Sequence, residues 1–243
     1  MKVLLLGGNG LLGPHVVNAL EGYCDLRVTD VVPIDTPHES MQVDVSDLDQ
    51  VRRAAEGTDV IVNCSVQRTD RHIAFQVNTL GTYNAIRAAA ELEHERFVNT
   101  GPHFTVTGPQ YTLYDFGIDE SVPPHSGTNL YALSKYAGQE ICRLFSEHYP
   151  IHVLDLLYVS FRPPEPNRDG QGLNSFSVSY PDGGRAVRCA LEADLAAMPT
   201  RNEIFFILDD LPHGQYSNAK ARRLLGFEPQ DRLERYWRRP AAD

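Results

Sequence analysis

Short runs of apolar residues alternate along this chain with longer stretches whose apolar positions recur at helical spacing. Val3–Leu6 is continuously apolar and predicts a strand buried on both faces. Glycines follow, then a helix-like series of Leu11, Leu12, Val16, Val17 and Leu20. Leu26–Thr29 predicts a second strand ending at Asp30, and Met41–Val43 a third ending at Asp44. Ser46 or Asp47 can cap a helix through Ala55, and Val60–Val62 makes a fourth strand. A long helix runs through Ala74, Val77, Leu80, Ala85, Ile86 and Ala89, and Phe97 and Val98 open a fifth strand. A helix from about Asn129 to Glu147 precedes a sixth strand, Val153–Val159. Strands alternating with helices imply an α/β fold, a doubly wound parallel sheet with helices on both faces.

Two segments interrupt the rhythm. Residues 107–128, with Gly108, Pro109, Gly117, Pro123, Pro124 and Gly127, predict a long loop. Residues 162–172 carry no apolar side chain except prolines. Both follow strands, on the side of the sheet where open α/β folds bind ligands. The chain therefore divides into a main part, 1–160, and a small C-terminal lobe, 161–243, with one helix returning to the main domain.

Composition narrows the function classes. With 22 Lys plus Arg against 32 Asp plus Glu, the net charge of -10 repels phosphate backbones and anionic lipid. Nucleic acid and membrane are thus not expected as partners. Arg232, Arg235, Arg238 and Arg239 cluster near the end, as a helix terminus or a solvated tail would. Four widely spaced cysteines, Cys24, Cys64, Cys142 and Cys189, lack metal spacing and read as reduced thiols. Gly7, Gly8 and Gly10 break the N-terminal apolar run before it reaches signal-peptide length, so the expected compartment is the cytoplasm.

The chemistry begins in the first strand–helix turn. Gly7, Gly10 and Gly13, with Leu11 and Leu12 between them, permit a tight turn and close approach of a pyrophosphate to bare backbone. The helix N-terminus then offers unpaired N–H groups. Asp30 can accept both ribose hydroxyls of NAD and would repel the extra phosphate of NADP. Asp44, with Val45 after it, lies where adenine would fall, or is a turn former. Asn78 inside a helix predicts a tertiary hydrogen bond. Tyr131 and Lys135, four apart, share a helix face. An ammonium there stabilises phenolate and makes the tyrosine a usable acid/base.

Together the glycine pattern, Asp30, Asp44, the Asn78–Asn84 segment and Tyr131-x-x-x-Lys135 resemble the extended short-chain dehydrogenases, the NAD-dependent epimerase/dehydratase family. Pro181-Asp182 with Ala186-Val187 and Ala190-Leu191 is similar to that family's later helix, and Leu224–Pro229 to its C-terminal signature. The short C-terminal part and Pro164-Glu165-Pro166-Asn167 look most like the uronate dehydrogenases, which oxidise a free hexuronic acid to a lactone.

The resemblance implies a Rossmann fold, NAD, and a homodimer joined through the Tyr–Lys helix and the long helix before it. It also implies that Cys64 and Ser65 flank the cofactor, and that backbone at Val159 and Ser160 contacts its carboxamide end. The family's catalytic serine is absent near 101–103. Thr100, His103 and Thr105 are the candidates for its hydrogen-bonding role, His103 first. Tyr158 stands in place of an arginine, and Gln67, Arg68 and Arg168 are candidate substrate contacts. A dehydrogenase acting on a sugar or sugar acid is the first reading. The alternatives are a nucleotide-sugar epimerase or dehydratase that recycles NAD, and a catalytically weak NAD-binding regulator.

Overall fold

A computed structural model describes residues 1–108, 116–165, 172–212 and 214–237. Arg168, Arg238 and Arg239, with much of the two long loops, lie outside the described residues. Among the described residues, seven parallel strands form one sheet in the order β3-β2-β1-β4-β5-β6-β9. These are β1 (Lys2–Leu6), β2 (Asp25–Asp30), β3 (Glu39–Gln42), β4 (Val60–Asn63), β5 (Arg96–Pro102), β6 (His152–Tyr158) and β9 (Asn202–Phe206). The strand order reverses between β1 and β4, which opens a crevice at their carboxyl ends. The expected doubly wound architecture is thus present.

β1 shows why the sheet needs cover on both faces. Val3 and Leu5 join a core with Val16 and Leu20 of α1 (Gly13–Leu20) and Ala186, Val187 and Ala190 of a later helix, Tyr180–Glu192. Leu4 and Leu6 point the other way, toward α2 (Leu48–Ala55) and α4 (Thr82–Glu91). Asp47 caps α2, accepting from the backbone N–H of Asp49 and Gln50 at 3.0 and 3.1 Å.

The long helix expected around Ala74–Ala89 is composite. It begins as α3 (Arg71–Ala74), widens into a π-helical stretch over Phe75–Gly81, and continues as α4. α5 (Leu130–His148) is capped by Asn129. The third strand lies two residues earlier than its apolar residues suggest, so Asp44 falls just past its end.

After residue 160 the chain does more than form a lobe. α6 (Tyr180–Glu192) packs on α1, with Gly184 so close that a Cβ would sit 2.2 Å from the His15 carbonyl oxygen. β9 extends the main sheet beside β6. A two-stranded ladder, β7 (Ser160–Arg162) with β8 (Ser177–Ser179), and α7 (Ala219–Leu225) complete this part. Asp182 binds the C-terminal segment to α6, accepting from the backbone N–H of Gln230 and Asp231. A third apolar cluster, with Val106, Ile118, Phe176, Phe206 and Tyr216, packs around the ends of β6 and β9. No helix of the described residues is long and apolar enough to cross a membrane.

Candidate active site

Steric crowding dictates the glycines after β1. Gly7 has φ +81°, and a Cβ there would lie 2.7 Å from the backbone of Cys64 and Ser65. Its N–H and that of Gly8 both donate to the Thr29 carbonyl, at 2.9 and 2.8 Å. A Cβ on Gly13 would lie 2.3 Å from the Gly8 oxygen. The loop therefore lies flat against β2 and the end of β4 and leads into α1. At the end of β2, Asp30 accepts from the Asn9 N–H at 3.0 Å. Asp44 accepts from the N–H and hydroxyl of Ser46 at 2.9 and 2.7 Å.

Gly7, Gly10, Asp30, Asp44, Val45, Cys64, Ser65 and Gln67 line one groove of about 620 Å³. Bare backbone, a helix N-terminus and a carboxylate at the second strand end fit a dinucleotide laid across the strand ends. Asn78 lies behind the groove wall. Its amide donates to the Gln67 carbonyl at 2.6 Å and to the Ser134 hydroxyl at 2.9 Å, while its oxygen accepts from the Gln67 N–H. This is the tertiary hydrogen bonding that a mid-helix asparagine predicts, and it fixes the loop after β4.

A smaller pocket of about 80 Å³ adjoins the groove, sharing Cys64 and Val66 as walls. Tyr131, Lys135, Arg68, Thr100, Leu11, Leu12 and Val159 all line it. Asn129 starts α5 by accepting from the N–H of Tyr131 and Ala132, which sets Tyr131 in the first turn facing the sheet. One turn later the Lys135 ammonium is buried, donating to the carbonyls of Ser65 at 2.8 Å and Thr100 at 2.9 Å. Burial pulls its pKa down to about 8, against the opposing pull of Cys64 and Asp155. The Cys64 thiol is itself pushed up to about 12 by burial.

The electrostatics at Tyr131 differ from the sequence expectation. Burial raises its pKa, and the group that opposes burial is Arg68, through its charge and a hydrogen bond, rather than Lys135. The Arg68 guanidinium lies 5.3 Å from the centre of the Tyr131 ring.

None of the three serine substitutes has an uncommitted side-chain donor in this pocket. Thr100 lines it, but its hydroxyl donates to the Asn63 carbonyl at 2.9 Å. Thr105 donates to the Pro102 carbonyl at 3.0 Å. His103 turns away into an aromatic cluster with Phe104, Phe176 and Tyr216, its Nε2 3.2 Å from the Tyr216 hydroxyl. Burial drives the His103 pKa down to about 3, so the ring stays neutral. Ser160 is buried just beyond Val159.

Six lining residues escaped the sequence reading as site residues: Val66, Gly101, Pro102, Phe104, Tyr158 and Phe161. Each lies at or just after a strand end, which was the available signal. Tyr158, where the family has arginine, donates to the Gly183 carbonyl at 3.0 Å and stacks on Phe161.

Residues 3–172 match the NAD dependent epimerase/dehydratase family. Among relatives, the NAD-dependent glucose-6-phosphate dehydrogenase of Haloferax volcanii is 25% identical over 249 residues, covering 94% of this chain and 93% of that one. A uronate dehydrogenase of Pseudomonas syringae pv. tomato is 27% identical over 201 residues, covering 78% and 69%. Among solved structures, uronate dehydrogenase from Agrobacterium tumefaciens superposes with TM-score 0.79 at 22% identity, covering 97% of this chain and 86% of that one. At that identity the likeness speaks for the fold. The family match, over more than half the chain, shows that the chain belongs to the NAD dependent epimerase/dehydratase family, and NAD is its cofactor.

Proposed function

We propose that the protein is an NAD-dependent oxidoreductase that oxidises a hydroxyl of a sugar or sugar acid, in the manner of a uronate dehydrogenase. The observation that carries this reading is the placement of Tyr131 and Lys135 in one small pocket that shares walls with the glycine-loop groove. A pocket of about 80 Å³ suits the reacting end of a compact molecule better than a sugar nucleotide. Among the described residues lining it, Arg68 and Lys135 are cationic and none is acidic, in a chain of net charge -10. That favours an anionic substrate. Arg68, with Gln67 and Arg168, is assigned to its carboxylate.

The loop of Gly7, Gly10, Leu11, Leu12 and Gly13 would hold the pyrophosphate, Asp30 the adenosine ribose, and Asp44 with Val45 the adenine. Cys64, Ser65 and backbone at Val159 and Ser160 would border the nicotinamide end. When bound, NAD would supply the acceptor for a hydride from the carbinol carbon. Tyr131 takes the hydroxyl proton on its phenol oxygen and passes it to solvent, with Arg68 countering the cost that burial imposes on the phenolate. Lys135 locks the turn after β4 to the end of β5 and adds a positive charge to the wall of the pocket. Residues 1–160 serve the cofactor and 161–243 close the substrate side, in a cytoplasmic homodimer.

The test is a screen of sugars and sugar acids with NAD, read by NADH release, followed by Tyr131→Phe. The variant should lose at least about a hundredfold in turnover while NAD binding, read by calorimetry, stays intact. Undiminished turnover would move the chemistry away from Tyr131. Interconversion of sugars without net NADH would point to an epimerase or dehydratase. Cofactor binding with no turnover on any substrate would point to a regulator.

A further inference from the structure

Of the polar side chains that line the pocket with Tyr131, most are already engaged. The Thr100 hydroxyl donates to the Asn63 carbonyl, and the Tyr158 hydroxyl to that of Gly183. Lys135 donates to the carbonyls of Ser65 and Thr100. Arg68 is the exception. Its guanidinium lies over the Tyr131 ring, 5.3 Å from the ring centre, and no carboxylate among the described residues lines the pocket to pair with it. A guanidinium is a planar fork of N–H donors, so contact with the ring leaves its edges able to reach a bound molecule.

The loop that carries Arg68 is fixed to the helix that carries Tyr131. Gln67 Oε1 accepts from the backbone N–H of Arg68 at 2.7 Å and of Thr69 at 3.2 Å. The Asn78 side chain in turn holds the Gln67 backbone at both its N–H and its carbonyl. The same amide donates to Ser134, which lies between Tyr131 and Lys135 on α5. Asn78 is fully buried, while Arg68 is exposed. A buried amide so sets an open cation against the Tyr131 ring.

We propose that Arg68 is a catalytic residue in the place of the serine absent from the turn after β5: its guanidinium donates a hydrogen bond to the oxygen whose proton passes to Tyr131. That oxygen gains negative charge as its proton leaves, and a donor held on a fixed loop stabilises the charge without reorganising. Arg68 itself gives up no proton. It keeps its hydrogen bond while the substrate O–H bond breaks and the Tyr131 O–H bond forms. The contact with the ring supports the same exchange, because a cation there favours phenolate before the proton arrives. Thr105 and His103 are turned instead to the Pro102 carbonyl and the Tyr216 hydroxyl. The remaining titratable groups of the pocket do not substitute, since burial raises the thiol of Cys64 and the phenol of Tyr158 and both stay neutral.

The inference rests on the proposed function only in taking Tyr131 as the acid/base. Its first measurement needs neither substrate nor NAD, so the two can fail separately. Fluorotyrosine, whose phenol is more acidic than that of tyrosine, replaces the eleven tyrosines of the chain, and Tyr131→Phe identifies the Tyr131 fluorine signal. Arg68→Gln keeps a polar side chain on the exposed loop. It should raise the Tyr131 midpoint by about one unit, roughly a tenfold loss of phenolate. On any substrate the native chain oxidises, it should also lower kcat by about a hundredfold and move the acid limb of the rate profile upward in pH. A Tyr131 midpoint unchanged in Arg68→Gln overturns the proposal. So does a loss confined to KM, which would leave Arg68 a ligand for the substrate carboxylate alone.

Discussion

At the residue scale, the proposed dinucleotide preference of the groove turns on Asp30. It ends β2 with its carboxylate against the glycine loop, accepting the Asn9 N–H, and is the group proposed to meet the adenosine ribose. An added phosphate on that ribose would meet a fixed negative group in a partly desolvated crevice. Asp30→Ala should weaken NAD binding by about tenfold, roughly 1.4 kcal/mol, and narrow the gap to NADP. Calorimetric titration with both nucleotides checks this. An unchanged NAD affinity with NADP still excluded would take the ribose contact away from Asp30. The juxtaposition of the glycine loop and Asp30 was legible in sequence because a strand–turn–helix with crowded glycines places the next strand end beside it. His103 was not legible in the same way. A histidine at a plausible distance along the turn says nothing of whether its ring faces the pocket, and here Phe176 and Tyr216, more than seventy residues on, draw it into an aromatic cluster. The hydrogen-bonded row of Asn63, Asn99 and Asp155 across β4, β5 and β6 was hidden for a related reason. Asn63, Asn99 and Asp155 each interrupt an apolar run, but only strand register puts them in one row.

At the element scale, apolar periodicity located six strands and their helices because burial on both faces leaves continuous apolar runs. It missed β9, although Ile204, Phe205 and Phe206 form such a run, because the strand follows a long helix and a polar turn late in the chain. The π-helical widening at Phe75–Gly81 gave a faint signal in Asn78, whose amide fixes the Gln67 loop. Gly81 there abuts Val45, where a Cβ would fall 2.6 Å from the valine side chain. The exposed faces of these helices bear on assembly. Phe75, Leu80, Leu133 and Leu144 are large apolar side chains left open to solvent on the long composite helix and on α5. Helices with such faces stabilise one another when a second copy covers them. Sedimentation should therefore give a dimer, and Leu144→Arg should weaken it about tenfold or more. A native monomer at micromolar concentration would count against the assembly.

At the scale of the whole molecule, buried titratable groups tie stability to pH in opposing senses. His103 is neutral in the folded chain, its pKa pushed by burial from 6.5 down to about 3. As pH falls from about 6.5 toward 3 the unfolded chain takes up a proton that the folded chain refuses, so this group's contribution to stability is lost on acidification. Burial acts oppositely on the carboxyls of Asp155, raised to about 7, and Asp209, raised to about 6. In the same window the folded chain holds protons there that the unfolded chain releases, so stability from these two groups is lost as pH rises. The terms partly cancel between about pH 4 and 6, where two carboxyls of one sense stand against His103 and His94, also lowered by burial. His103→Phe removes one member of that balance and keeps the aromatic volume beside Phe104, Phe176 and Tyr216. Urea titrations at several pH values between about 3 and 6.5 should show the variant's stability falling less on acidification than the native chain's. The slopes should differ by about 1.4 kcal/mol per pH unit, the value of one proton. Parallel slopes would mean that His103 takes its proton in the folded chain as readily as in the unfolded one. The aromatic cluster would then be open to water, and His103 would be free to turn toward Tyr131 after all.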